Sequence, residues 1–364
     1  MKLAFKTILI APLDWGLGHA TRCIPIIRSL QQAKCNVIVA VNNKQKSLLQ
    51  REFTDILFID LFGYNIHYTK NKSTLPFALI GQMFKIFNCI NREKKWLENI
   101  ITELKIDVVI SDNRFGLFTK KIPCVFITHQ LQIEASYNWL KKVIQKINYK
   151  YINCFTTCWV PDFEGENNIA GILSHPNTMP SIPIQYIGVL SRFNEPKNQT
   201  TFIYDCCFLL SGPEPQRTLL EQKIIQQQNT IKHLKCCLIR GLPETSTTLS
   251  SSNNLIIKNH LPEKELEQII LQSEFVIARS GYTTVMELVS LQKKSILIAT
   301  PGQTEQEYLA KKLMKQNWCY AVKQNNFFIE EIYLKAKQFN YQLPKIVDTN
   351  LAIENLLESL LHGQ

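Results

Sequence analysis

The sequence predicts an α/β protein made of two Rossmann-like domains that face a cleft. Three observations favour this fold class. Short apolar runs alternate with longer amphipathic stretches, which is typical of parallel strands joined by helices. A polar segment near residue 190 interrupts this pattern, which then starts again. The chain has 364 residues, too many for one ordinary core and suited to two domains of about 150–200 residues each.

The first half of the chain contains six apolar runs that we predict to be buried parallel strands. They are Thr7–Ala11, Val37–Val41, Ile56–Ile59, Val108–Ser111, Val125–Thr128 and Thr157–Val160. Amphipathic stretches between them predict helices over Thr21–Ala33, Lys44–Glu52 and Arg92–Leu104. The order strand, helix, strand implies a parallel sheet with right-handed crossover connections.

The second half repeats this alternation. Its predicted strands are Phe202–Leu210, Lys235–Arg240, Asn254–Lys258, Phe275–Ala278 and Ser295–Thr300, and its predicted helices include Gln216–Thr230 and Glu263–Gln272. Because Ser191–Thr200 is polar and suits a linker, we predict domains over residues 1–190 and 191–345. Residues 346–364 are predicted to form a C-terminal helix.

Composition and charge narrow the class of protein. No stretch reaches the about 18 apolar residues that a membrane-spanning helix needs, and the eleven cysteines form no CxxC pair, so we predict a cytoplasmic protein with reduced thiols. Of the net charge of +11, residues 1–190 carry +9. This excess suggests an anionic partner, such as a phosphate-bearing acceptor or an acidic membrane surface, although solubility explains it equally well. No basic aromatic motif accompanies the charge, so we predict no nucleic-acid partner.

The segment WGLGHATR, residues 15–22, follows the first predicted strand and opens the first helix. Gly16 and Gly18 permit a tight turn, and a helix N-terminus offers N–H groups to an anion, which suggests an acceptor site that includes Arg22. The third glycine of a dinucleotide-binding fingerprint is missing, so an NAD site is not predicted. His19 suits a general base because its pKa lies near working pH, and its alternative role is to cap or pack the turn.

Two further segments end strands of the first half. Asp112 directly follows a buried run and could orient the ring of His19, although it could equally be a turn or cap residue. Arg114, two positions later, and His129, after the next strand, are candidates for acceptor contacts. His129 as a plain loop residue is an equal alternative.

Three loops of the second half are candidates for binding a nucleotide sugar. Ser211 and Gly212 follow its first strand. The segment ARSGYTTVMEL, residues 278–288, places Ser280, Gly281, Thr283 and Thr284 where helix N-terminal amides and hydroxyls can bind a diphosphate. Arg279 could add charge there, and Glu287, one turn further on, could accept hydrogen bonds from ribose. The loop after the next strand offers Gln303 and Gln306 to sugar hydroxyls.

No two aspartates are two positions apart, so the D-x-D clamp that holds a divalent metal is absent. We therefore predict no metal site. Helix dipoles with Arg or Lys would neutralise a bound diphosphate instead. We also predict no cofactor, since a nucleotide sugar would be a co-substrate.

In this order, the GxGH segment, the SGxxTxxE segment and the Pro-Gly-Gln loop resemble GT-B glycosyltransferases, in particular the lipid II-forming N-acetylglucosaminyltransferases and the UDP-glycosyltransferase group. The resemblance implies donor binding in the second domain, acceptor binding in the first and inversion at the anomeric carbon. It assigns the donor phosphates to Ser280, Gly281, Thr283 and Thr284, the ribose to Glu287, and the sugar or a nearby ribose group to Gln303 and Gln306. His19 becomes the base, with Asp112 as its partner. It also implies that the C-terminal helix, Leu351–Leu361, crosses back to the first domain.

Two stretches of the first half are candidates for contact with a membrane. The stretch Tyr137–Tyr151 puts Trp139 and three lysines beside an apolar face, which fits an interfacial helix on an anionic membrane, with Pro76–Trp96 as a second candidate. An ordinary surface helix is the alternative.

Two functions compete with the transferase: a nucleotide-sugar epimerase and a non-catalytic nucleotide-sugar-binding subunit. An epimerase would need more acidic residues than Glu287 and Glu305, and a non-catalytic subunit would tolerate the loss of His19.

Overall fold

Two parallel β-sheets, one in each half of the chain, organise this computed structural model. The structure describes residues 5–64, 75–134, 138–193, 201–243, 245–345 and 350–362. The chain divides into two compact units: unit 1, Met1–Leu190 with Asp348–Gln364, and unit 2, Ser191–Val347. The two sheets and the comparisons given below confirm the predicted fold class of two α/β domains.

Unit 1 contains a seven-stranded sheet with flanking helices. Its strands are β1 Thr7–Pro12, β2 Asn36–Val41, β3 Leu57–Asp60, β4 Val108–Asp112, β5 Cys124–Ile127, β6 Thr157–Val160 and β7 Ile184–Tyr186. Its helices are α1 Leu17–Gln32, α2 Asn43–Glu52, α3 Leu75–Glu103, α4 Asn138–Ile152 and α10 Asn350–His362. The strand order is β3-β2-β1-β4-β5-β6-β7, and the strands pair in parallel.

Unit 2 contains a six-stranded sheet of the same kind, ordered β10-β9-β8-β11-β12-β13. Its strands are β8 Tyr204–Leu209, β9 Cys236–Ile239, β10 Leu255–Lys258, β11 Ser273–Arg279, β12 Ser295–Ala299 and β13 Tyr320–Lys323. Its helices are α5 Gln216–Gln226, α6 Glu263–Leu271, α7 Tyr282–Ser290, α8 Thr304–Lys315 and α9 Ile329–Gln338. Each sheet contains the strand order of a doubly wound nucleotide-binding fold, in which ligands bind at the carboxyl ends of the strands.

Burial explains why the apolar runs became strands. All six residues of β1 are buried, as are all five of β4, because helices cover a parallel sheet on both faces. Leu9, Val109 and Phe126 belong to one apolar cluster of unit 1, and Phe208, Ile277 and Ile298 to one of unit 2. The C-terminal helix α10 packs against α1 of unit 1 and buries Ile353 and Leu357.

Several element boundaries differ from the sequence-based expectation. Helix α1 begins at Leu17 rather than Thr21, so His19 and Arg22 lie inside the helix. Helix α3 begins at Leu75, seventeen residues before the predicted start at Arg92. Strands β7 and β13 were not predicted, because their short sequences IQY and YAVK are half-buried and carry no long apolar run.

Candidate functional site

Unit 1 brings the two predicted catalytic side chains into contact. Strands β1 and β4 are adjacent and parallel, with Pro12 opposite Asp112 in the register, so the first turn of α1 lies beside the end of β4. His19 Nδ1 lies 2.9 Å from Asp112 Oδ2. Since a carboxylate only accepts hydrogen bonds, His19 Nδ1 carries the proton and Nε2 keeps a lone pair. This is the orientation that a general base requires.

Arg22, one helical turn after His19, holds the same carboxylate. Its Nε donates to Asp112 Oδ2 over 2.8 Å, and its Nη2 donates to Oδ1. Although burial alone raises the pKa of Asp112, the charge of Arg22 and the hydrogen bond from His19 outweigh it and lower this pKa to about 2. Asp112 is therefore ionised at neutral pH.

The electrostatics of His19 follow from the same contacts. Burial and the nearby charge of Arg22 lower the pKa of His19, while Asp112 opposes this shift. The imidazole is therefore neutral at pH 7 and free to accept a proton. Its side chain keeps 18% of its surface exposed, so a ligand can reach it. A neutral, oriented and accessible imidazole has the properties of a general base.

Gly16 and Gly18, two of the predicted acceptor residues, lie at the start of α1. Gly16 is the N-cap of α1, and its φ of 122° is a conformation that favours glycine. The Gly18 carbonyl accepts a hydrogen bond from the Thr21 hydroxyl. The first turn of α1 contains no acidic residue, so its dipole favours an anion at this loop.

Arg22, Arg114 and His129, which we predicted to contact the acceptor, are buried and make contacts within unit 1. Arg22 is 2% exposed and binds Asp112, while His129 is 5% exposed, with its Nδ1 3.4 Å from Arg22 Nη1. Arg114 is fully buried, donating from Nε to the Pro12 carbonyl and from Nη1 to Glu93 over 2.6 Å. Both guanidinium groups are already paired with buried carboxylates, so their charges support the loop and Asp112 rather than attracting a ligand.

Unit 2 collects the predicted donor residues at one edge of its sheet. Strands β8, β11 and β12 are neighbours, so the loops after them share the carboxyl edge. Ser211 and Gly212 follow β8, and Gly212 has a φ of 101°. Gly281 is the N-cap of α7 and makes no side-chain cap, and Thr283 and Thr284 occupy the first turn, half-buried. These positions suit an anion at the N-terminus of α7.

Other predicted donor residues are engaged in contacts within unit 2. The Ser280 hydroxyl donates to the Gln306 carbonyl over 2.8 Å. Gln306 Oε1 accepts from the Thr300 amide, and Gln306 Nε2 donates to Gln303 Oε1. The contact between the two glutamines therefore stabilises the loop after β12. The Ser280 hydrogen bond links the loop after β11 to this segment.

Arg279 is a buried cation at the end of β11. Its Nη1 and Nη2 donate to the carbonyls of Ala299 and Gln216, and its Nε finds no hydrogen-bond partner among the residues that the structure describes. Burial lowers its pKa to about 10, so it remains charged at neutral pH. Within the same described ranges, no carboxylate lies within ion-pair distance of it.

Arg192 is a residue of this site that the sequence did not reveal. Its Nε donates to Glu287 Oε1 over 2.8 Å, and both side chains are nearly buried. Burial raises the pKa of Glu287, and Arg192 opposes that shift. Arg192 lies in the polar segment that we interpreted as a linker, where a single arginine carries no recognisable signal.

Comparisons with known proteins find glycosyltransferase matches in both units. Residues 221–345 match the glycosyltransferase family 28 C-terminal domain, and residues 7–154 match glycosyl transferase family 1. The chain is 20% identical over 335 residues to the UDP-N-acetylglucosamine–N-acetylmuramyl-(pentapeptide) pyrophosphoryl-undecaprenol N-acetylglucosamine transferase of Bacillus subtilis, covering 86% of this chain and 85% of that protein.

Solved structures show the same fold. The glycotransferase of kitacinnamycin superposes with a TM-score of 0.64 at 12% identity, over 99% of this chain and 95% of that one. The MurG of Acinetobacter baumannii superposes with a TM-score of 0.51 at 13% identity, over 98% and 99% of the two chains. With two parallel sheets and glycosyltransferase sequence matches in both units, this chain is a glycosyltransferase of the GT-B fold whose residues 221–345 match the family 28 C-terminal domain.

Proposed function

We propose that this chain is an inverting glycosyltransferase that moves a hexose or N-acetylhexosamine from a nucleotide sugar, a UDP-sugar, to a hydroxyl of a lipid-linked or small-molecule acceptor. The contact between His19 and Asp112 carries the catalytic part of the proposal. The names of the relatives support the donor and the acceptor, since the Bacillus subtilis protein is a UDP-N-acetylglucosamine transferase whose name includes a polyprenyl pyrophosphate acceptor.

The His19–Asp112 contact of unit 1 supports the following reaction. The acceptor hydroxyl gives its proton to His19 Nε2 as its oxygen forms a bond to the anomeric carbon. The bond from that carbon to the nucleotide diphosphate breaks, and the diphosphate leaves with the electron pair. Asp112 stabilises the imidazolium that forms, because it accepts the Nδ1–H throughout. A single displacement of this kind inverts the anomeric configuration.

Unit 2 would bind the donor without a metal. The N-terminus of α7 offers backbone amides, and Arg279 supplies a buried positive charge that the described carboxylates do not neutralise. Both favour a diphosphate, whose charge develops further as it leaves. Glu287 would accept hydrogen bonds from ribose hydroxyls, while Arg192 donates to its Oε1 and keeps the carboxylate in place.

A donor-binding experiment tests the second half of this proposal. We expect one nucleoside diphosphate or nucleotide sugar to raise the melting temperature in the presence of EDTA, since a ligand at 100 times its Kd stabilises by about 2.7 kcal/mol. Glu287→Ala should remove the shift. A shift that requires a divalent cation would contradict the metal-independent site, and no shift with any nucleotide would contradict the donor assignment.

A kinetic experiment tests the base. His19→Gln should lower kcat by about 10²–10⁴, the usual contribution of general acid–base catalysis, while the Kd of the donor stays unchanged. His175→Gln is the matched control, because His175 is bonded to Ser174 and stacked on Tyr186, away from Asp112. Full donor binding with unchanged function in His19→Gln would instead favour the non-catalytic subunit. A product that keeps the donor's anomeric configuration would exclude inversion, and isomerised donor without transfer would favour an epimerase.

One surface supports a lipid-linked acceptor. Helix α4 exposes Trp139, which is 66% exposed, Val143, which is 46% exposed, and three lysines, Lys142, Lys146 and Lys150. An exposed tryptophan beside basic side chains fits the interface of an anionic membrane. Part of the second predicted membrane segment, Pro76–Trp96, has side chains outside the described residues. In the described part of the chain, no helix has the length and apolar character to cross a membrane.

The membrane proposal has its own test. The protein should sediment with liposomes that contain anionic lipid at low salt, and binding should fall as salt screens the charges. Trp139→Ala with Lys146→Glu should abolish sedimentation, and Lys315→Glu, on α8 of unit 2, is the control. Sedimentation that is absent at low salt, or unchanged in the double variant, would exclude this surface.

A further inference from the structure

The loop between β1 and α1 is held by contacts on both sides of Trp15. The Pro12 carbonyl accepts from Arg114 Nε over 2.8 Å, and the Leu13 carbonyl accepts from Gln45 Nε2 over 2.7 Å. Asp14 Oδ1 accepts from the Tyr64 amide over 3.1 Å. Each residue from Pro12 to Asp14 therefore has a defined hydrogen bond, which fixes the backbone just before Trp15.

A buried network of charged side chains, centred on Arg114 and Glu93, contacts this loop through the Pro12 carbonyl. Arg114 and Glu93 form a fully buried ion pair, and Glu93 also accepts from the Tyr64 hydroxyl over 2.7 Å and from the Gly116 amide over 3.0 Å. Buried ion pairs repay their desolvation only when their hydrogen bonds are well formed. The network serves no step of the proposed reaction, but Glu93 accepts from the Tyr64 hydroxyl while Asp14 accepts from its amide, so Tyr64 is held at two points.

Tyr64 in turn positions the ring of Trp15. The two ring centroids lie 6.5 Å apart, at an interplanar angle of 89°, which is a favourable edge-to-face contact. Trp15 nevertheless remains 47% exposed. The next residue, Gly16, has no side chain, and a Cβ at that position would meet no atom within 4 Å. An anchored loop thus presents an open aromatic surface four residues before His19.

The charges near Trp15 indicate which ligand chemistry fits. Asp14 and Glu93 are negative and Arg114 is positive, and all three side chains are buried. These three side chains together carry no excess positive charge, so an anion at this loop would rely on the dipole of α1 and not on the groups around Trp15. An uncharged ring is the better occupant, because the flat apolar faces of aromatic rings pack against the C–H faces of sugar rings. A ligand that stacks there would bind to the same loop and helix start that carry the proposed base.

We infer that Trp15 is a stacking surface for a sugar ring of the acceptor and a specificity-determining residue of the transfer reaction. The inference rests on the proposed function and deepens it. Stacking would orient the acceptor so that its hydroxyl faces His19 Nε2. Its contribution belongs to acceptor binding, since Trp15 takes no proton and touches no leaving group.

Fluorine NMR of protein labelled with fluorotryptophan tests the binding directly. The chain contains five tryptophans, and Trp15→Phe assigns the resonance of Trp15. The probes are the methyl glycosides of glucose, galactose, mannose and N-acetylglucosamine, added in the presence of UDP, with uridine and glycerol as comparators. We expect at least one glycoside to shift the Trp15 resonance, while Trp139, which is 66% exposed, stays unchanged. A response to none of the glycosides, or an equal response to uridine, would overturn the inference.

Kinetics then separate this inference from the proposed function. With the glycoside that binds, Trp15→Ala should raise the acceptor KM about tenfold, as an aromatic contact of this size predicts. The kcat and the donor KM should change little, and Trp15→Phe should retain most of the affinity. Phe328→Ala, at a 57% exposed aromatic residue of unit 2, is the control.

Transfer that is lost in His19→Gln but shows an unchanged acceptor KM in Trp15→Ala would refute the stacking role and leave the proposed function intact. A Trp15 resonance that responds to a glycoside, in a protein that transfers no sugar to any acceptor, would support the binding site and refute the transferase assignment.

Discussion

Replacement of Asp112 by asparagine perturbs the stability of unit 1 and the proposed reaction together. Asp112 is fully buried, and Arg22 donates to both of its oxygens. The substitution Asp112→Asn keeps the size of the side chain but removes the charge, so Arg22 becomes a buried cation without a carboxylate. The new amide group also no longer provides two acceptors for His19 and Arg22.

The loss of stability in Asp112→Asn follows from the pKa of Asp112 and from its pairing with Arg22. The pKa of Asp112 falls from its usual 3.8 to about 2, and a shift of this size corresponds to about 2 kcal/mol of stability. Because the pKa is lowered in the folded state, this stability is present above pH 3.8 and is lost as the pH falls towards 2. Removal of one partner of a buried ion pair costs more, about 3–5 kcal/mol, because the other charge stays buried. We expect a loss in that range at pH 7.

Urea unfolding followed by tryptophan fluorescence measures this loss. Four of the five tryptophans, Trp15, Trp96, Trp139 and Trp159, lie in unit 1, so the signal reports mainly that unit. Asp107→Asn is the matched control, because Asp107 pairs with Lys6 at the surface, where such pairs contribute about 0–1 kcal/mol. The difference between the two variants should shrink as the pH approaches 2.

Activity gives a second measurement of the same variant. Loss of the carboxylate removes the contact that orients His19 and stabilises its protonated form, so kcat should fall about 10²–10⁴-fold in protein that is still folded. An Asp112→Asn variant that unfolds at the same urea concentration as Asp107→Asn, with kcat within about tenfold of the wild type, would contradict both the structural and the catalytic role of Asp112.

Three further predictions concern other buried groups. Arg192→Met should destabilise unit 2 by about 3–5 kcal/mol. This loss should shrink at acidic pH, because the pKa of Glu287 is still higher without Arg192 and the carboxyl group is neutral below that pKa. In urea unfolding, the double variant with Glu287→Gln should recover stability, and no recovery would contradict the pairing. Gly116→Ala should cost more than about 1 kcal/mol, since its Cβ would lie 2.3 Å from the Ile90 carbonyl, whereas Gly165→Ala, with no atom within 4 Å, should melt like the wild type. Arg279→Met should leave the melting temperature of the ligand-free protein unchanged or higher, because a buried cation is removed. The same variant should bind a nucleoside diphosphate at least about tenfold more weakly by calorimetry. A destabilised variant with normal binding would contradict the assignment of Arg279 to the donor site.

The sequence was informative wherever burial and backbone pattern decide the structure. The runs TILIAP and VVI are apolar because helices cover both faces of the sheet, and they lie in β1 and β4, whose residues are all buried. The predicted parallel sheet put the ends of both strands at one edge, and the pairing of β1 with β4 in the structure brings His19 and Asp112 into contact there. The same reasoning placed the loops after β8, β11 and β12 together.

The sequence was uninformative wherever long-range pairing decides the role of a side chain. Arg22 and Arg114 both occupy loops or helix starts beside the predicted site, where an arginine can bind a ligand or support the fold. Their partners, Asp112 and Glu93, are distant in the sequence, so no local pattern distinguishes the two roles. The pairing of Arg192 with Glu287, 95 positions apart, was hidden for the same reason.

The two units differ in how they balance their buried charge, and this difference has a consequence for ligand binding. In unit 1, Arg22 is paired with Asp112 and Arg114 with Glu93, so the site is organised before any substrate arrives. In the described part of unit 2, Arg279 donates only to carbonyl groups and retains an unpartnered Nε. An anion near Arg279 would therefore remove an electrostatic cost that the ligand-free protein carries. A nucleoside diphosphate should accordingly protect the amides of β11 and α7 from hydrogen exchange more strongly than those of β1 and β4, and equal protection would indicate that Arg279 is not part of the donor site.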